Sequence, residues 1–298
     1  MFNNILGNEE AKRILENSIK TEKISHSYMF IGQNGIGKFM IAKEFAKAIL
    51  CQGKQRPCDI CESCIKFNGE NNPDIQIIDE TEEKSIKTET IKEMVKGVYE
   101  KPIEGLKKVY IINDSQKMTK EAQNSLLKTL EEPPEYVVII LITENENLLL
   151  NTIKSRCTKI KFNRLTNNEI TKILKEKYDY EEVTDNMLEI AGGSVTHALS
   201  VKGKEDIFNE IKTIFSNLEK INIIDLLNKK DVIFKDKDSI YEILDYINII
   251  LFNKIKENIQ YTNCIEIVEE TKDRLKKNSN YDMTIDNLLI KIWEEING

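Results

Sequence analysis

The sequence predicts an α/β domain built on a parallel sheet, followed by segments that are helical throughout, and three observations carry that reading. Apolar strand patterns alternate with helical ones as far as Phe162, the arrangement that yields parallel strands covered on both faces. The first strand pattern runs into Gly32-Gln33-Asn34-Gly35-Ile36-Gly37-Lys38, a glycine-rich loop at the start of a helix. Beyond Phe162 the strand patterns stop and only helical spacing remains.

Taken in order, residues 27–31 form a short apolar strand and residues 39–50 a helix with Ile41, Phe45, Ala48 and Ile49 on one face. Residues 75–78 read as a second strand, 86–99 as a helix and 109–112 as a third strand. Thr119 caps a helix that runs to Glu132 and is stopped by Pro133-Pro134, because proline offers no N–H and clashes with the preceding turn. Residues 137–142 are wholly apolar, as a strand buried on both faces must be, and 158–162 form a further strand. Thr166-Asn167-Asn168-Glu169 is a capping box that opens a helix; a second helix ends at Gly192-Gly193 and a third begins near Ser194. From Glu205 onward, runs such as 240–255 and 285–296 keep helical spacing. The expected domains are therefore 1–163, 164–203 and 204–298.

The 298 residues carry a net charge of −7, so the whole molecule has no basic field for gripping nucleic acid. Lysine-rich segments, 84–92 and 229–237, are interleaved with acids and read as solvated faces. Only two histidines occur, His26 and His197, which argues against a histidine-centred triad; His26 is expected to make a local hydrogen bond. No apolar run approaches membrane-spanning length and the amino terminus lacks a signal-peptide pattern, so a cytoplasmic location is expected. Cys157 and Cys264 read as packed thiols, and Trp293 as either core or subunit contact.

Four cysteines, Cys51, Cys58, Cys61 and Cys64, follow the first long helix in a knuckle spanning 51–64. Two C-x2-C steps share Cys61, so three thiolates converge from one tight turn while Cys51 comes from the helix end. Four thiolates fill a tetrahedral zinc site and leave no open position, which makes the expected Zn²⁺ structural and not catalytic. The alternative is a pair of disulfides or unrelated thiols.

The spacing Gly32-x4-Gly37-Lys38 is that of a phosphate loop, whose backbone N–H groups and helix N-terminus attract an anion and whose lysine meets the outer phosphates. The next residue should offer a hydroxyl to Mg²⁺, but it is Phe39. The third strand should end in Asp and Glu, for the metal and the attacking water, but Asn113 and Asp114 stand there. The magnesium site reads as lost. The surviving loop and Lys38 leave nucleotide binding without hydrolysis open.

Several stretches together carry a family resemblance: Leu6-Gly7-Asn8-Glu9-Glu10, His26-Ser27-Tyr28-Met29-Phe30-Ile31-Gly32, the four-cysteine insertion, Asn124-Ser125-Leu126-Leu127-Lys128-Thr129-Leu130-Glu131-Glu132-Pro133-Pro134 and Ser155-Arg156-Cys157. The sequence resembles the clamp-loader subunits of bacterial DNA polymerase III, in the AAA+ superfamily, and within them is most similar to the delta-prime type. The resemblance implies an AAA+ phosphate-loop domain, a small helical lid domain and an all-α C-terminal oligomerisation domain, or collar. It implies that Arg156 is an arginine finger offered in trans to a neighbour's ATP site, and that Thr143 matches a phosphate-sensing position. An ion pair within its own subunit is the alternative for Arg156. Thr196 replaces the small-domain arginine of the family's ATPase subunits. The implied partners are the gamma/tau and delta subunits, with the sliding clamp and primer-template DNA reached through the complex. An active ATPase motor subunit of the same loader is the competing reading.

Overall fold

The five strands are Ser27–Ile31 (β1), Ile75–Ile78 (β2), Lys108–Ile112 (β3), Val137–Thr143 (β4) and Thr158–Lys161 (β5), all parallel, in the order β2-β3-β4-β1-β5. The computed structural model describes residues 1–80, 83, 85–180, 182–200, 202–255, 258–277 and 279–298. Lys84, at the start of one lysine-rich segment, lies outside the described residues. The chain divides into two compact units, Met1–Glu169 and Ile170–Gly298.

In the first unit the helices are Glu9–Lys20 (α1), Lys38–Leu50 (α2), Glu62–Asn68 (α3), Thr88–Val98 (α4), Lys120–Glu131 (α5) and Asn151–Lys154 (α6). β4 is buried at every position, and its alternation decides what each face meets. Val137, Ile139 and Leu141 join Ile91, Met94 and Val98 of α4 and Ala122, Leu126 and Leu130 of α5 in one apolar cluster. Around β1, Tyr28 packs edge-on against Phe45 of α2 at 5.2 Å between ring centroids, and Phe30 lies 5.1 Å from Phe162. Each fully buried side chain of this kind contributes about 1.5–3 kcal/mol.

Two local departures from the sequence reading have tertiary causes. The helix expected from residue 86 starts at Thr88, because Ile86 is fully buried and forms a parallel bridge to Met118: its N–H donates to Lys117 O (3.0 Å) and its carbonyl accepts from Thr119 N (3.3 Å). Helix α3 was not foreseen; Cys61 caps it by accepting from Cys64 N, so it exists as the continuation of the cysteine knuckle.

The second unit is helical. Helix Asn167–Tyr178 (α7) opens at the unit boundary on the capping box: Thr166 N donates to Glu169 Oε2 (2.7 Å), and Glu169 N to Thr166 Oγ1 (3.3 Å). Asp185–Ala191 (α8) ends on Gly192 in the left-handed conformation (φ 53°), and Val195–Ser200 (α9) follows. Glu205–Phe215 (α10), Ile223–Asn228 (α11), Lys230–Ile233 (α12), Ile240–Lys254 (α13), Tyr261–Lys276 (α14) and Tyr281–Asn297 (α15) complete it. Their apolar stripes meet in one core that includes Phe208, Phe215, Ile247, Leu251, Val268 and Leu288. Trp293 packs against this core and donates Nε1–H to Ile221 O (2.8 Å), so it serves the interior of its own chain. Cys157 and Cys264 are buried, and burial pushes their thiols up to about 11 and about 12.

Candidate metal centre, phosphate loop and exposed arginine

The knuckle is shaped by backbone N–H groups that point at sulfur. Gly53 N approaches Cys51 Sγ at 3.3 Å, Cys61 N approaches Cys58 Sγ at 3.4 Å and Cys64 N approaches Cys61 Sγ at 3.5 Å. Gly53 is required by close approach, since a Cβ there would lie 2.8 Å from both Cβ and Sγ of Cys58. All four sulfurs lie within 4.8 Å of one another, and Cys51 Sγ is 3.9 Å from Cys61 Sγ. That is far beyond the ~2.05 Å of a disulfide, and the six cysteines are free thiols. A tetrahedral site with Zn–S of about 2.3 Å needs sulfurs roughly 3.8 Å apart. The residues therefore fit a zinc ion.

Electrostatics suits a cation here. Burial opposes the Cys61 thiolate, but the N–H groups of Cys64 and Gln52 and the adjacent thiols hold it down to about 6. Burial pushes Cys64 up to about 12. Crowded thiols give up protons with increasing difficulty, and a divalent ion relieves the repulsion by replacing those protons. Lys47 of α2 pairs with Asp59, and Ser63 Oγ donates to Leu50 O (2.9 Å), so the knuckle is braced on the helix that precedes it.

A buried polar network runs from the knuckle to the loop before β3. Asn72 Nδ2 donates to Ser63 O (3.1 Å) and Ser63 Oγ (3.0 Å), and Asn72 Oδ1 accepts from Asp74 N (3.0 Å). The Asp74 carboxylate, buried, accepts three backbone N–H groups: Ile103 (2.6 Å), Glu104 (2.9 Å) and Gly105 (2.8 Å). This pins a loop that displays Ile103 and Leu106 to solvent. Asp74→Asn turns an amide NH₂ toward those donors and is expected to destabilise the chain by about 3 kcal/mol, read as a lower urea midpoint at unchanged slope.

The glycine loop leaves β1 beside β4, with Ile31 in register with Thr143. Gly32 N donates to Thr143 O (3.2 Å), and a Cβ on Gly32 would lie 2.8 Å from Phe162 O, so only glycine fits. Gly35 and Gly37 take positive φ, 72° and 90°, and Gly37 is the N-cap of α2. The Lys38 ammonium does not project from this loop. It is buried and donates to Gly32 O and Gln33 O, both at 2.6 Å. Desolvation lowers its pKa to about 8, against the opposing pull of Glu144 and Asp114. Thr143 is fully buried, and its hydroxyl accepts from Asn145 N (3.2 Å).

Lys38 makes stability pH-dependent in a definite direction. Its folded pKa is near 8 and its ordinary value is 10.5, so between those pH values the unfolded chain binds more protons and stability rises with pH. Relative to a Lys38→Met variant, the parent is expected to gain about 2–3 kcal/mol across that window, measured by denaturant unfolding at several pH values.

Two of the three positions expected to serve magnesium and the attacking water, Phe39 and Asn113, carry neither a carboxylate nor a hydroxyl. Phe39 offers no oxygen, and its ring faces Lys43 Nζ at 5.8 Å. Asn113 turns its amide NH₂ to Asp79 Oδ1 (2.9 Å). Asp114, in the left-handed region at φ 46°, accepts from Gln116 Nε2 (3.3 Å) and pairs with Lys117 (3.4 Å). Thr196 is exposed on α9. His26 makes its contact to β4 through its backbone carbonyl, which accepts from Ile139 N (2.9 Å); its Nε2 has no hydrogen-bond partner among the described residues, so the expected local bond is not made at that atom.

Arg156 follows α6, and its backbone is tied down: its N–H donates to Ile153 O (3.1 Å) and its carbonyl accepts from Ser27 Oγ (2.6 Å). Its side chain, one-third exposed, meets Glu131 Oε1 through Nη2 (2.8 Å) and Thr152 O through Nη1 (2.9 Å). An ion pair within its own chain is thus present.

Residues 7–166, more than half of the chain, match the family described as DNA polymerase III, delta subunit. The chain belongs to that family. A DNA polymerase III subunit gamma/tau of Mycoplasma pneumoniae is 35% identical over 227 residues, which cover 74% of this chain and 33% of the relative. A DNA polymerase III subunit delta' of Bacillus subtilis is 28% identical over 323 residues, with 95% of each chain covered. The chain therefore spans about a third of the length of the gamma/tau relative and nearly all of the delta' relative. A crystal structure of a DNA polymerase III gamma subunit-related protein from Thermotoga maritima matches with a TM-score of 0.51 at 20% identity, covering 97% of this chain and 99% of that one, which bears on the fold alone. The fold is a parallel five-stranded α/β domain followed by helices. Among the described residues no helix is long and apolar enough to cross a membrane.

In this member of the delta-subunit family, sequence reasoning passed over Asp74 and Glu131. An Asn-x-Asp turn at 72–74 was a visible signal for the first. Glu131 lay inside a quoted motif, but nothing local linked it to Arg156.

Proposed function

We propose that this chain is a clamp-loader subunit of the delta-prime kind, a platform that hydrolyses no ATP itself and lends Arg156 to an adjoining ATPase subunit. The observation that carries the reading is an asymmetry. Phe39, Asn113 and Asp114 have lost the chemistry of a metal-assisted site, while Arg156 stays at the surface on a fixed backbone. Near-complete coverage of both chains in the comparison with delta' supports it. Residues 1–163 would be the AAA+ domain, 164–203 the lid and 204–298 the collar that joins the subunits. Gly32, Gly35, Gly37, Lys38 and Thr143 would be a relic nucleotide pocket, and zinc on Cys51, Cys58, Cys61 and Cys64 would hold the knuckle without taking part in a reaction. The partners would be the gamma/tau and delta subunits in the cytoplasm, with the sliding clamp and primed DNA engaged by the assembled loader.

The higher identity to gamma/tau favours a second reading, an active motor subunit. Steady ATP turnover by the purified chain would establish that reading and remove the first. Arg156→Ala in a reassembled loader tests the finger itself: unchanged DNA-stimulated turnover would refute it.

A further inference from the structure

The Arg156 guanidinium carries five N–H donors. Nη1 donates to Thr152 O (2.9 Å) and to Ser155 Oγ (3.3 Å), both on the turn just before it, and Nη2 meets Glu131 Oε1 (2.8 Å). The side chain is therefore folded back on its own helix end and clasped by a carboxylate. An end-on bidentate contact to a phosphate would need N–H groups on both Nη1 and Nη2, and this arrangement engages both nitrogens.

Glu131 has no role of its own in the helix that carries it. It is the last residue of α5, where the helix dipole is negative and a carboxylate is disfavoured. α5 is already capped at its other end by Thr119 Oγ1, which accepts from Ala122 N (3.1 Å), and is stopped by Pro133-Pro134. A guanidinium at the helix C-terminus offsets the misplaced negative charge, so the pair satisfies both residues. Glu131 is about half exposed and Arg156 one-third, and ion pairs at such exposure are weak and easily exchanged.

We propose that Glu131 is a positioning residue that parks Arg156 as a placeholder anion, releasing it when the more highly charged phosphate of a neighbour's nucleotide competes for the same guanidinium. The inference rests on the finger reading and adds to it a competition that raises the ATP concentration at which the finger engages.

The test uses full-length chain in a reassembled loader, with ATP turnover followed at the adjoining site. Glu131→Gln keeps the shape and removes the charge. It is expected to lower KM for ATP about two- to fivefold with kcat nearly unchanged, and the effect should vanish in a Glu131→Gln/Arg156→Ala double variant. A purely structural Glu131 would leave a similar effect in both backgrounds, which overturns the proposal. So does an unchanged or raised KM in Glu131→Gln while Arg156→Ala remains damaging, and the finger survives that result. A harmless Arg156→Ala removes both.

Discussion

Arg156→Ala is expected to lower DNA-stimulated ATP turnover at the adjoining site on the order of 10³-fold, the scale of an arginine finger supplied in trans. On the finger reading the effect is large because the guanidinium would meet charge that develops only as the phosphoryl group transfers. The side chain's own contacts are a surface ion pair and two hydrogen bonds on the adjacent turn, so the variant should fold with a stability change within about 1 kcal/mol. Arg156→Lys should recover little, because an ammonium keeps the charge but lacks the planar fork. Turnover measured with the other ATP sites disabled separates this seam from the rest of the loader.

Removing the metal is expected to have the second largest consequence, on stability and not on chemistry. The chain should carry one zinc ion, measured by metal analysis, and chelation or Cys61→Ser should lower its melting temperature by roughly 10 °C, given ~2–4 °C per kcal/mol for a domain of this size. The knuckle has little apolar content of its own to hold it: Ile60 is 83% exposed and Ile65 59%. Its order depends on four sulfurs converging, and Ser63 passes that order on to Asn72 and Asp74. Affinity should fall with decreasing pH, because protons compete with the metal for thiolates, Cys64 most strongly. A chain purified with zinc present that holds none, and melts identically with chelator, would end the assignment.

Much of the architecture was legible because it is written in short-range patterns. The unbroken apolar run of β4 could only be a strand covered on both faces. Thr119 before α5 and Pro133-Pro134 after it marked both ends of that helix, and the Thr166–Glu169 capping box appears as read. Ile86 shows the limit of such patterns. The helical reading ran two residues too far there, because a backbone bridge to Met118, 32 residues further on, claims Ile86 for a different role. α3 escaped notice because Glu62–Asn68 is short and its start is capped by a sulfur that belongs to the knuckle.

The candidate sites divide in the same way. Loop glycines, cysteine spacing and the identities of Phe39, Asn113 and Asp114 are facts of residue type, and the sequence alone establishes them. What the tertiary structure decided is whom each charged or polar group meets. Lys38 turns back onto Gly32 and Gln33, Arg156 onto Glu131, and Asp74 gathers the N–H groups of residues 103–105. Secondary structure follows from interactions a few residues apart, which periodicity records. The Arg156–Glu131 pair and the Asp74 network join segments far apart in the chain, and Lys38 turns back as its surroundings bury it; no local periodicity encodes either.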